Sequence, residues 1–318
     1  MYHTILKKAS RFLVMKSVFF LPRERRIAIE RRHRGREQYG KLRRADYTVV
    51  SFGKSGRTWL RVMISRVFQV KHDLSTGALL SFDNFHRRDS AIPTVFFTHD
   101  NYIRDYTGST DVRSDYGDRK VVLLVRHPAD VTVSQYFQWK HRMKSRKVDL
   151  LEFPGRDREI SLYEFLMDPK FGLVRAIDFM NLWARDIPSL EHFLMVRYED
   201  LRADPGAALD KVLQFMGTTA TEAELRDAVE FGSVENMRKM EQKGSFWLSG
   251  GRMKPRDRDN PDSYKVRRAK VGGYRDYFDD EQAARISELL ESRLSPIYGY
   301  TRQSPDATTT PETRKATA

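Results

Sequence analysis

The feature that most restricts the fold of this 318-residue chain is a β-branched run, which is followed by a glycine-rich turn and an amphipathic segment. Residues 47–52, YTVVSF, have the apolar character of a buried strand. Residues 57–70, RTWLRVMISRVFQV, predict the helix that follows, and Gly53 and Gly56 lie in the turn between them. Strand, short turn and helix in this order open a βα unit, which favours a parallel sheet.

Three more apolar runs predict strands, over 94–99, 120–126 and 192–201, and the last of these strands is expected to end near Tyr198. The third predicted strand leads into Pro128, which is suited to the first turn of a helix over 129–141. Further helices are predicted at 161–168, 173–186, 206–216, 221–230 and 281–292. Strands that alternate with helices indicate the α/β class, with a central, mostly parallel sheet covered on both faces by helices.

The charge is distributed unevenly along the chain. The whole chain has 57 Lys and Arg against 43 Asp and Glu, and residues 1–45 hold 14 of the basic residues but 3 of the acidic ones. These counts predict a basic leader over residues 1–45 with a net charge of +11, followed by a folded domain over 46–300. Residues 301–318 are polar and rich in Thr, and predict a disordered tail.

The leader contains an apolar run, RFLVMKSVFFL over 11–21, that Lys16 interrupts. The run is too short to span a bilayer and lacks the cleavage site of a secretory signal. Two interpretations stay open: the leader lies on an anionic membrane surface, or it packs on the domain as a helix with its basic face in water. Nucleic-acid binding by residues 23–36 has weaker support than either interpretation, because nothing beside these residues supplies an aromatic stacking platform.

The chain has no cysteine, which excludes disulfides and thiolate metal sites. Its eight histidines do not form the spacings of metal ligands, so no metal is predicted. The composition permits a reducing compartment, and we expect a cytoplasmic protein that is peripheral to the membrane if the leader binds lipid.

The turn after the first strand is similar to part of an ATP-binding loop. That loop requires Gly, four residues, and then Gly-Lys followed by Ser or Thr. Gly53, Lys54 and Ser55 supply the second half, but Thr48 stands where the first Gly is needed, so the match fails. Glycine amides, a helix N-terminus and the Lys54 ammonium are still suited to a phosphate. An ordinary tight βα turn is the alternative.

The third predicted strand carries a second candidate anion site. Arg126 ends this strand, and Ser134 follows about two turns into the next helix. A guanidinium and a hydroxyl so placed can grip a phosphate, although each alone is compatible with an ordinary surface residue. The arginine counts against one rival function, a nucleotide or small-molecule kinase, because a kinase needs acidic Mg²⁺ ligands at a strand end.

Four segments in order resemble the sulfotransferase family that uses 3′-phosphoadenosine 5′-phosphosulfate (PAPS). FGKSGRTW (52–59) is similar to its 5′-phosphosulfate loop, and VVLLVRHPADVTVSQYFQW (121–139) to its 3′-phosphate segment. RYEDL (197–201) matches the segment whose Tyr lines the nucleotide pocket, and RRAKVGGYRDYF (267–278) resembles the C-terminal phosphate-binding motif. The resemblance implies a sulfotransferase fold related to the P-loop kinases, with PAPS as co-substrate and 3′-phosphoadenosine 5′-phosphate (PAP) as product.

The resemblance also implies roles for particular residues. Lys54 would contact the transferring sulfonate, and His99 falls where the family places its catalytic base. An imidazole suits that role, since its ordinary pKa of about 6.5 lets it accept a proton at neutral pH, although a structural histidine is the alternative. The implied nucleotide-binding residues are Ser55, Gly56, Arg57 and Thr58 at the 5′-phosphate, Trp59, Tyr198 and Ser233 at the adenine, and Arg126, Ser134, Arg267, Arg268 and Ala269 at the 3′-phosphate.

The chain departs from the family pattern in places. In EFGSVENMRK (230–239), Gly232 and Val234 replace a Thr and the stacking Phe, so we expect adenine to be held mainly from the side of Trp59. The other departures are Arg57 for the commoner Thr, Phe97 for a Lys of many cytosolic members, Ala269 for a Gly and Tyr274 for a Trp.

The acceptor is not identified by these motifs. Long predicted loops over 140–160 and 243–266 flank the site, and long loops often carry specificity. Phe246 and Trp247 suit a sugar, a phenol or a lipid headgroup, whereas the basic residues of the loops favour an anionic acceptor. With the basic leader, these features favour a membrane-associated glycan or lipid over a small soluble molecule. A non-catalytic membrane- or RNA-binding protein is the second rival.

Overall fold

Four parallel strands form the centre of the fold in this computed structural model, which describes residues 11–246 and 256–302. Their order across the sheet is β2-β1-β3-β4, and all three pairings are parallel. The strands are β1 (Tyr47–Ser51), β2 (Val95–Thr98), β3 (Lys120–Val125) and β4 (His192–Arg197). The predicted α/β class, with a central parallel sheet flanked by helices, is confirmed.

Helices connect the strands and cover the sheet. They are α1 (Arg23–Leu42), α2 (Arg57–Lys71), α3 (Ile103–Thr107), α4 (Arg113–Tyr116), α5 (Pro128–His141), α6 (Ser145–Leu150), α7 (Leu162–Met167), α8 (Leu173–Asp186), α9 (Tyr198–Ala203), α10 (Pro205–Phe215), α11 (Glu222–Phe231), α12 (Val234–Lys243) and α13 (Asp280–Arg293). Short 3₁₀ turns occur at Ile187–Ser189, Pro261–Ser263, Gly273–Tyr277 and Pro296–Tyr298.

The fourth strand ends at Arg197, one residue before Tyr198, near which the sequence predicts its end. The remaining residues of the 192–201 segment, from Tyr198 on, begin α9. Glu199 and Asp200 lie in the first turn of that helix, where the helix dipole favours carboxylates. The sequence did not predict α9, because an apolar run alone does not mark where a helix begins.

Apolar clusters cover both faces of the sheet. Neighbouring residues of a strand point to opposite faces, and Val49 and Val50 of β1 therefore join different clusters. Val50 belongs with Leu123 and Trp183, and Val49 with Leu60. Because both faces are buried, the carboxyl edge of the sheet is where polar residues at the strand ends can meet a ligand.

Helix α1, in the second half of the predicted leader, packs against α3. A Cβ added to Gly35 would lie 2.1 Å from the carbonyl oxygen of Tyr102, so the approach of the two backbones requires glycine there. Arg31 of α1 pairs with Asp105 of α3 at 3.1 Å. The basic residues of this helix therefore serve partly to attach it to the domain.

The segment before α1 presents apolar side chains to solvent. Residues 11–17 are helical, and Arg11 pairs with Glu37 of α1 at 2.6 Å. The exposed fractions reach 58–73% at Phe12, Leu13, Phe19 and Phe20. In the described part of the chain, no helix has both the length and the apolar character that a membrane span requires. Residues 1–10 of the leader, Trp247 and the predicted tail after residue 302 lie outside the described residues.

Candidate active site

A cavity of about 410 Å³ lies at the carboxyl edge of the sheet. Its wall is formed by the turn after β1, the end of β2, the junction of β3 and α5, the start of α9 and the segment 265–274. The cavity brings together most of the residues implied by the sequence: Lys54, Gly56, Arg57, Thr58, Trp59, His99, Arg126, Ser134, Tyr198, Arg267, Arg268 and Ala269.

The turn after β1 wraps tightly into the N-terminus of α2. Gly56 is the residue before the helix and has φ +92°, and Lys54 has φ +78°. A Cβ at Gly56 would lie 2.6 Å from the ring of Tyr198, so glycine is needed for both the backbone conformation and the contact. This geometry directs the amides of the turn and the free N–H groups of α2 toward the cavity, as a phosphate-binding turn requires.

Lys54 lies in a strongly electropositive part of the cavity. Desolvation by the cavity wall, with the charges of Arg142 and Arg126, lowers the pKa of Lys54 to about 7, against the opposing effect of Glu241. Its ammonium makes no hydrogen bond or ion pair among residues 11–246 and 256–302. A bound anion beside it would stabilise the charged form and raise the pKa.

Arg126 connects three parts of the wall. Its guanidinium donates a hydrogen bond to the carbonyl oxygen of Lys270 at 2.9 Å, and it lies 4.3 Å from the centre of the Tyr198 ring. A longer contact of 3.4 Å reaches the carbonyl oxygen of Lys54. The Nε of Arg126 is buried and has no hydrogen-bond partner in the described part of the chain, so one donor remains for a ligand.

Asp130, in the first turn of α5, holds the C-terminal segment in place. Its two carboxylate oxygens accept hydrogen bonds from the amides of Gly272 and Tyr274, both at 2.8 Å. It also lies 3.5 Å from Arg126. The motifs in the sequence do not indicate a role for Asp130. Its position four residues after a strand-terminal arginine is nevertheless a usable signal for contact between the two side chains.

The C-terminal segment places three predicted residues in the wall. Arg267 lies over the ring of Phe137 at 3.8 Å, and Arg268 pairs with Asp276 at 2.7 Å. Ala269 has φ +52°, in the left-handed region that favours glycine. The glycine that the family usually has at this position therefore corresponds to a real backbone requirement, which Ala269 meets with strain.

Two aromatic rings form the side of the cavity nearest α11. Trp59 and Tyr198 meet edge to face at 5.9 Å, and Arg202 lies 5.5 Å from the Trp59 ring. The Nε1 of Trp59 is buried without a hydrogen-bond partner among the described residues. A Cβ at Gly232 would approach this nitrogen to 3.3 Å, so a larger residue there would crowd the indole.

Two of the implied nucleotide-binding residues do not line the cavity. Ser55 is buried beneath the turn with 1% of its surface exposed. Ser233 caps α12, where its hydroxyl accepts a hydrogen bond from the amide of Asn236 at 3.2 Å. Its neighbours Gly232 and Val234 line the cavity instead.

His99 follows the last residue of β2, and a hydrogen bond fixes its orientation. Its Nδ1 lies 2.9 Å from the carbonyl oxygen of Ser51, which can only accept a hydrogen bond. The proton of a neutral His99 is therefore on Nδ1, and Nε2 keeps its lone pair. Burial, with the charges of Arg57 and Lys147, holds the pKa of His99 well below its usual value, so the ring is neutral at physiological pH.

Asp100, beside His99 in the sequence, faces away from it. Tyr116 donates a hydrogen bond to Asp100 at 2.8 Å, and Arg104 forms an ion pair with it at 2.7 Å. Burial raises the pKa of Asp100 to about 6 despite these partners. The carboxylate thus supports the turn after β2 and does not orient the imidazole.

A buried ion pair braces the opposite wall of the cavity. Arg142 and Glu241 lie 2.9 Å apart, and Glu241 is fully buried. The same carboxylate accepts hydrogen bonds from the amides of Lys265 and Val266, at 2.7 and 3.2 Å. These partners lie far apart in the sequence, and no motif indicated them.

The fold and the site together define a class of protein. A parallel sheet with a tight glycine-containing turn after β1 and an arginine after β3 is typical of the P-loop-related folds. Residues 44–297 match the sulfotransferase domain family. The chain belongs to that family and is a sulfotransferase, which excludes the kinase and the non-catalytic binding protein as its primary function.

Known sulfotransferases resemble this chain over most of its length. Cytosolic sulfotransferase 17 of Arabidopsis thaliana is 27% identical, over 81% of this chain and 77% of the relative. Flavonol 3-sulfotransferase of Flaveria bidentis is 24% identical, over 81% of this chain and 84% of the relative.

Solved structures share the fold. Mouse sulfotransferase SULT7A1, complexed with PAP, aligns with a TM-score of 0.55 and 20% identity, over 81% of this chain and 89% of the other. Retinol dehydratase, complexed with retinol and PAP, aligns with a TM-score of 0.52 and 17% identity, over 78% of this chain and 80% of the other.

Proposed function

We propose that this sulfotransferase moves a sulfonate group from PAPS to a hydroxyl or amine of its acceptor, with His99 as the general base and PAP as the product. The observation that carries the proposal is the hydrogen bond from His99 Nδ1 to the Ser51 carbonyl, in the same cavity as Lys54. The PAP complexes of two structurally similar sulfotransferase-fold proteins support the choice of donor.

The cavity offers PAPS two separate anion sites. The turn amides, Arg57 and Thr58 at the N-terminus of α2 suit the 5′-phosphosulfate. Arg126 and Ser134, with the Arg267–Ala269 segment, suit the 3′-phosphate. The Nε of Arg126, which has no hydrogen-bond partner among the described residues, fits a phosphate at this site. The Trp59–Tyr198 pair fits an adenine ring.

The proposed reaction needs proton removal and stabilisation of the leaving group. When bound, PAPS supplies a sulfonate whose bond to the 5′-phosphate oxygen breaks as the acceptor oxygen or nitrogen bonds to sulfur. His99 Nε2 takes the acceptor proton, and the Ser51 carbonyl stabilises the resulting imidazolium through Nδ1–H. Lys54 and the N-terminus of α2 stabilise the negative charge that develops on the 5′-phosphate.

The comparisons narrow the chemical class of the acceptor without identifying the molecule. We propose a glycan, a lipid or a small molecule with a free hydroxyl or amine. The relatives support small organic acceptors, since one is named for a flavonol and one structure contains retinol. The apolar residues Phe52, Phe97 and Phe153 in the cavity wall suit the body of such a molecule.

We further propose a cytoplasmic enzyme that binds the surface of an anionic membrane through its N-terminal segment. The exposed Phe12, Leu13, Phe19 and Phe20 can insert at the level of the lipid headgroups. Lys16, Arg23 and Arg25 are exposed beside them, and they complement anionic lipid. The name of the Arabidopsis relative, a cytosolic sulfotransferase, supports the location.

Transfer from ³⁵S-labelled PAPS to a panel of hydroxylated acceptors tests the proposed reaction. We expect the wild-type protein to label at least one acceptor, and His99→Ala to lower that rate by about 10²–10⁴-fold. The variant should bind PAP with wild-type affinity, because His99 lies on the acceptor side of the cavity. A His99→Ala variant with the full transfer rate would exclude His99 as the base.

A further inference from the structure

The cavity carries more positive charge than the anionic groups of PAPS require. Among the described residues that line it, Asp130 is the one carboxylate, and its oxygens are occupied by Arg126 and two backbone amides. The lining cations outside the two proposed phosphate sites include Lys147 of α6 and Arg175 of α8. Neither lies on the elements that would hold PAPS.

Lys147 and Arg175 are tied to the same turn of the chain. The amide of Leu151 donates a hydrogen bond to the carbonyl oxygen of Lys147 at 3.1 Å. The carbonyl oxygen of Leu151 in turn accepts a hydrogen bond from Arg175 at 2.5 Å. Leu151 therefore holds the guanidinium of Arg175 next to the end of α6, the helix that carries Lys147.

This turn lies on the side of the proposed base. Leu151 and Phe153 pack in one apolar cluster with Tyr102, three residues after His99. Lys147 is close enough for its charge to lower the pKa of His99. The wall next to the imidazole thus combines two cations with two apolar side chains.

The charges that act on Lys147 among the described residues are those of arginines. The side chain of Lys147 is exposed at the cavity wall, where desolvation by its neighbours, with the charges of Arg57, Arg34 and Arg142, lowers its pKa. Its ammonium makes no hydrogen bond or ion pair within the described ranges. A cation held in this way, beside an apolar surface, is suited to an anionic group on a ligand.

We infer that the acceptor is an amphipathic anion, with a carboxylate or phosphate bound by Lys147 and Arg175 and an apolar part packed on Leu151 and Phe153. This inference rests on the proposed function, because it assumes that His99 marks the reacting hydroxyl. The acceptor anion adds to the negative charge of the donor, which explains why so many lining cations face so few acids.

Binding to the PAP-saturated protein tests the inference without requiring turnover. Two matched pairs are titrated by calorimetry: 4-hydroxyphenylacetate against its methyl ester, and lysophosphatidylglycerol below its micelle concentration against monoacylglycerol. We expect at least one anion to bind about tenfold or more tightly than its neutral counterpart. The first pair represents a small soluble source of the anion, and the second a lipid source.

The variants identify the side chain responsible. Lys147→Met should remove most of the preference for the anion, and PAP affinity should stay unchanged. Lys144→Met, at an exposed lysine three residues earlier, should keep the preference and serves as the matched control. Equal affinity within both pairs, no binding of any probe, or an unchanged preference in Lys147→Met would overturn the inference. Failure of the wild-type protein to bind PAP would instead overturn the proposed function.

Discussion

Gly56 and Tyr198 are in direct contact across the cavity: a Cβ on the glycine would stand 2.6 Å from the tyrosine ring. The contact joins the turn after β1 to the first residue of α9. It also places Tyr198 against both Trp59 and Arg126, at 5.9 and 4.3 Å. Tyr198 therefore links the turn proposed to hold the 5′-phosphosulfate to the arginine proposed to hold the 3′-phosphate.

Gly56→Ala should damage the site through this contact. The new methyl group must displace the ring, and φ +92° costs an alanine about 1–2 kcal/mol. We expect PAP affinity to fall about tenfold or more in calorimetry. Gly40→Ala is the control, since that glycine lies in α1 with nothing within 4 Å of its Cβ position. It should raise the free energy of unfolding by about 0.5–1 kcal/mol and leave PAP binding intact.

Lys54 should couple PAP binding to pH. Its pKa is about 7 in the free protein, so it is mostly neutral at pH 8, and a bound polyanion raises that pKa. Binding at pH 8 should take up as much as about one proton, and PAP affinity should fall as the pH rises from 7 through the raised pKa. Calorimetry in two buffers of different ionisation enthalpy measures the proton number.

Lys54→Arg provides the comparison, because a guanidinium stays charged over this range. Its PAP binding should take up no proton at pH 8. Wild-type binding without proton uptake at pH 8 would show that Lys54 is already charged in the free protein. That result would contradict the pKa of about 7 that desolvation produces.

Ala269→Gly should stabilise the protein. Ala269 has φ +52°, where an L side chain costs about 1–2 kcal/mol and glycine is not penalised. We expect a gain of about 1 kcal/mol in the free energy of unfolding, measured by urea denaturation. Ala284→Gly, at an exposed interior position of α13, should change stability by about the same amount in the opposite direction. A loss of stability in Ala269→Gly would mean that the methyl group has contacts worth more than the strain.

The N-terminal segment should bind anionic vesicles. We expect co-sedimentation of the full chain with vesicles of phosphatidylcholine and phosphatidylglycerol, and much less with phosphatidylcholine alone. Phe19→Ser with Phe20→Ser should weaken the binding severalfold, because two exposed rings are lost from the interface. Val70→Ser with Ile297→Ser removes two exposed apolar residues elsewhere and should have no effect. Equal binding by both double variants would assign the attraction to charge alone.

Much of the framework follows from local sequence patterns. Short apolar runs predicted all four strands, because a parallel sheet buries both faces of each strand. The motif residues fall at the carboxyl ends of these strands, where the topology of the sheet brings them together. The start of α9 at Tyr198 was missed, since the turn from strand to helix depends on polar residues that an apolar count ignores.

The supports of the site could not be predicted in this way. Asp130 holds residues 272–274, and Glu241 holds Arg142 and residues 265–266, over separations of more than twenty residues. Lys147 lies in a predicted loop, and nothing local indicates that it faces the cavity. Apart from the four-residue spacing of Arg126 and Asp130, these contacts leave no periodic or spacing signal in a single sequence, because tertiary packing sets them.

We claim that two separate anion sites of this protein hold a nucleotide that is phosphorylated at both ends of its ribose. Calorimetry of PAP, AMP and ATP with Mg²⁺, on the wild-type protein and on Arg126→Ala, tests it most directly. We predict that the wild-type protein binds PAP at least about tenfold more tightly than AMP, and that Arg126→Ala removes most of this difference. Equal affinity for PAP and AMP, or tighter binding of ATP with Mg²⁺, would contradict the claim.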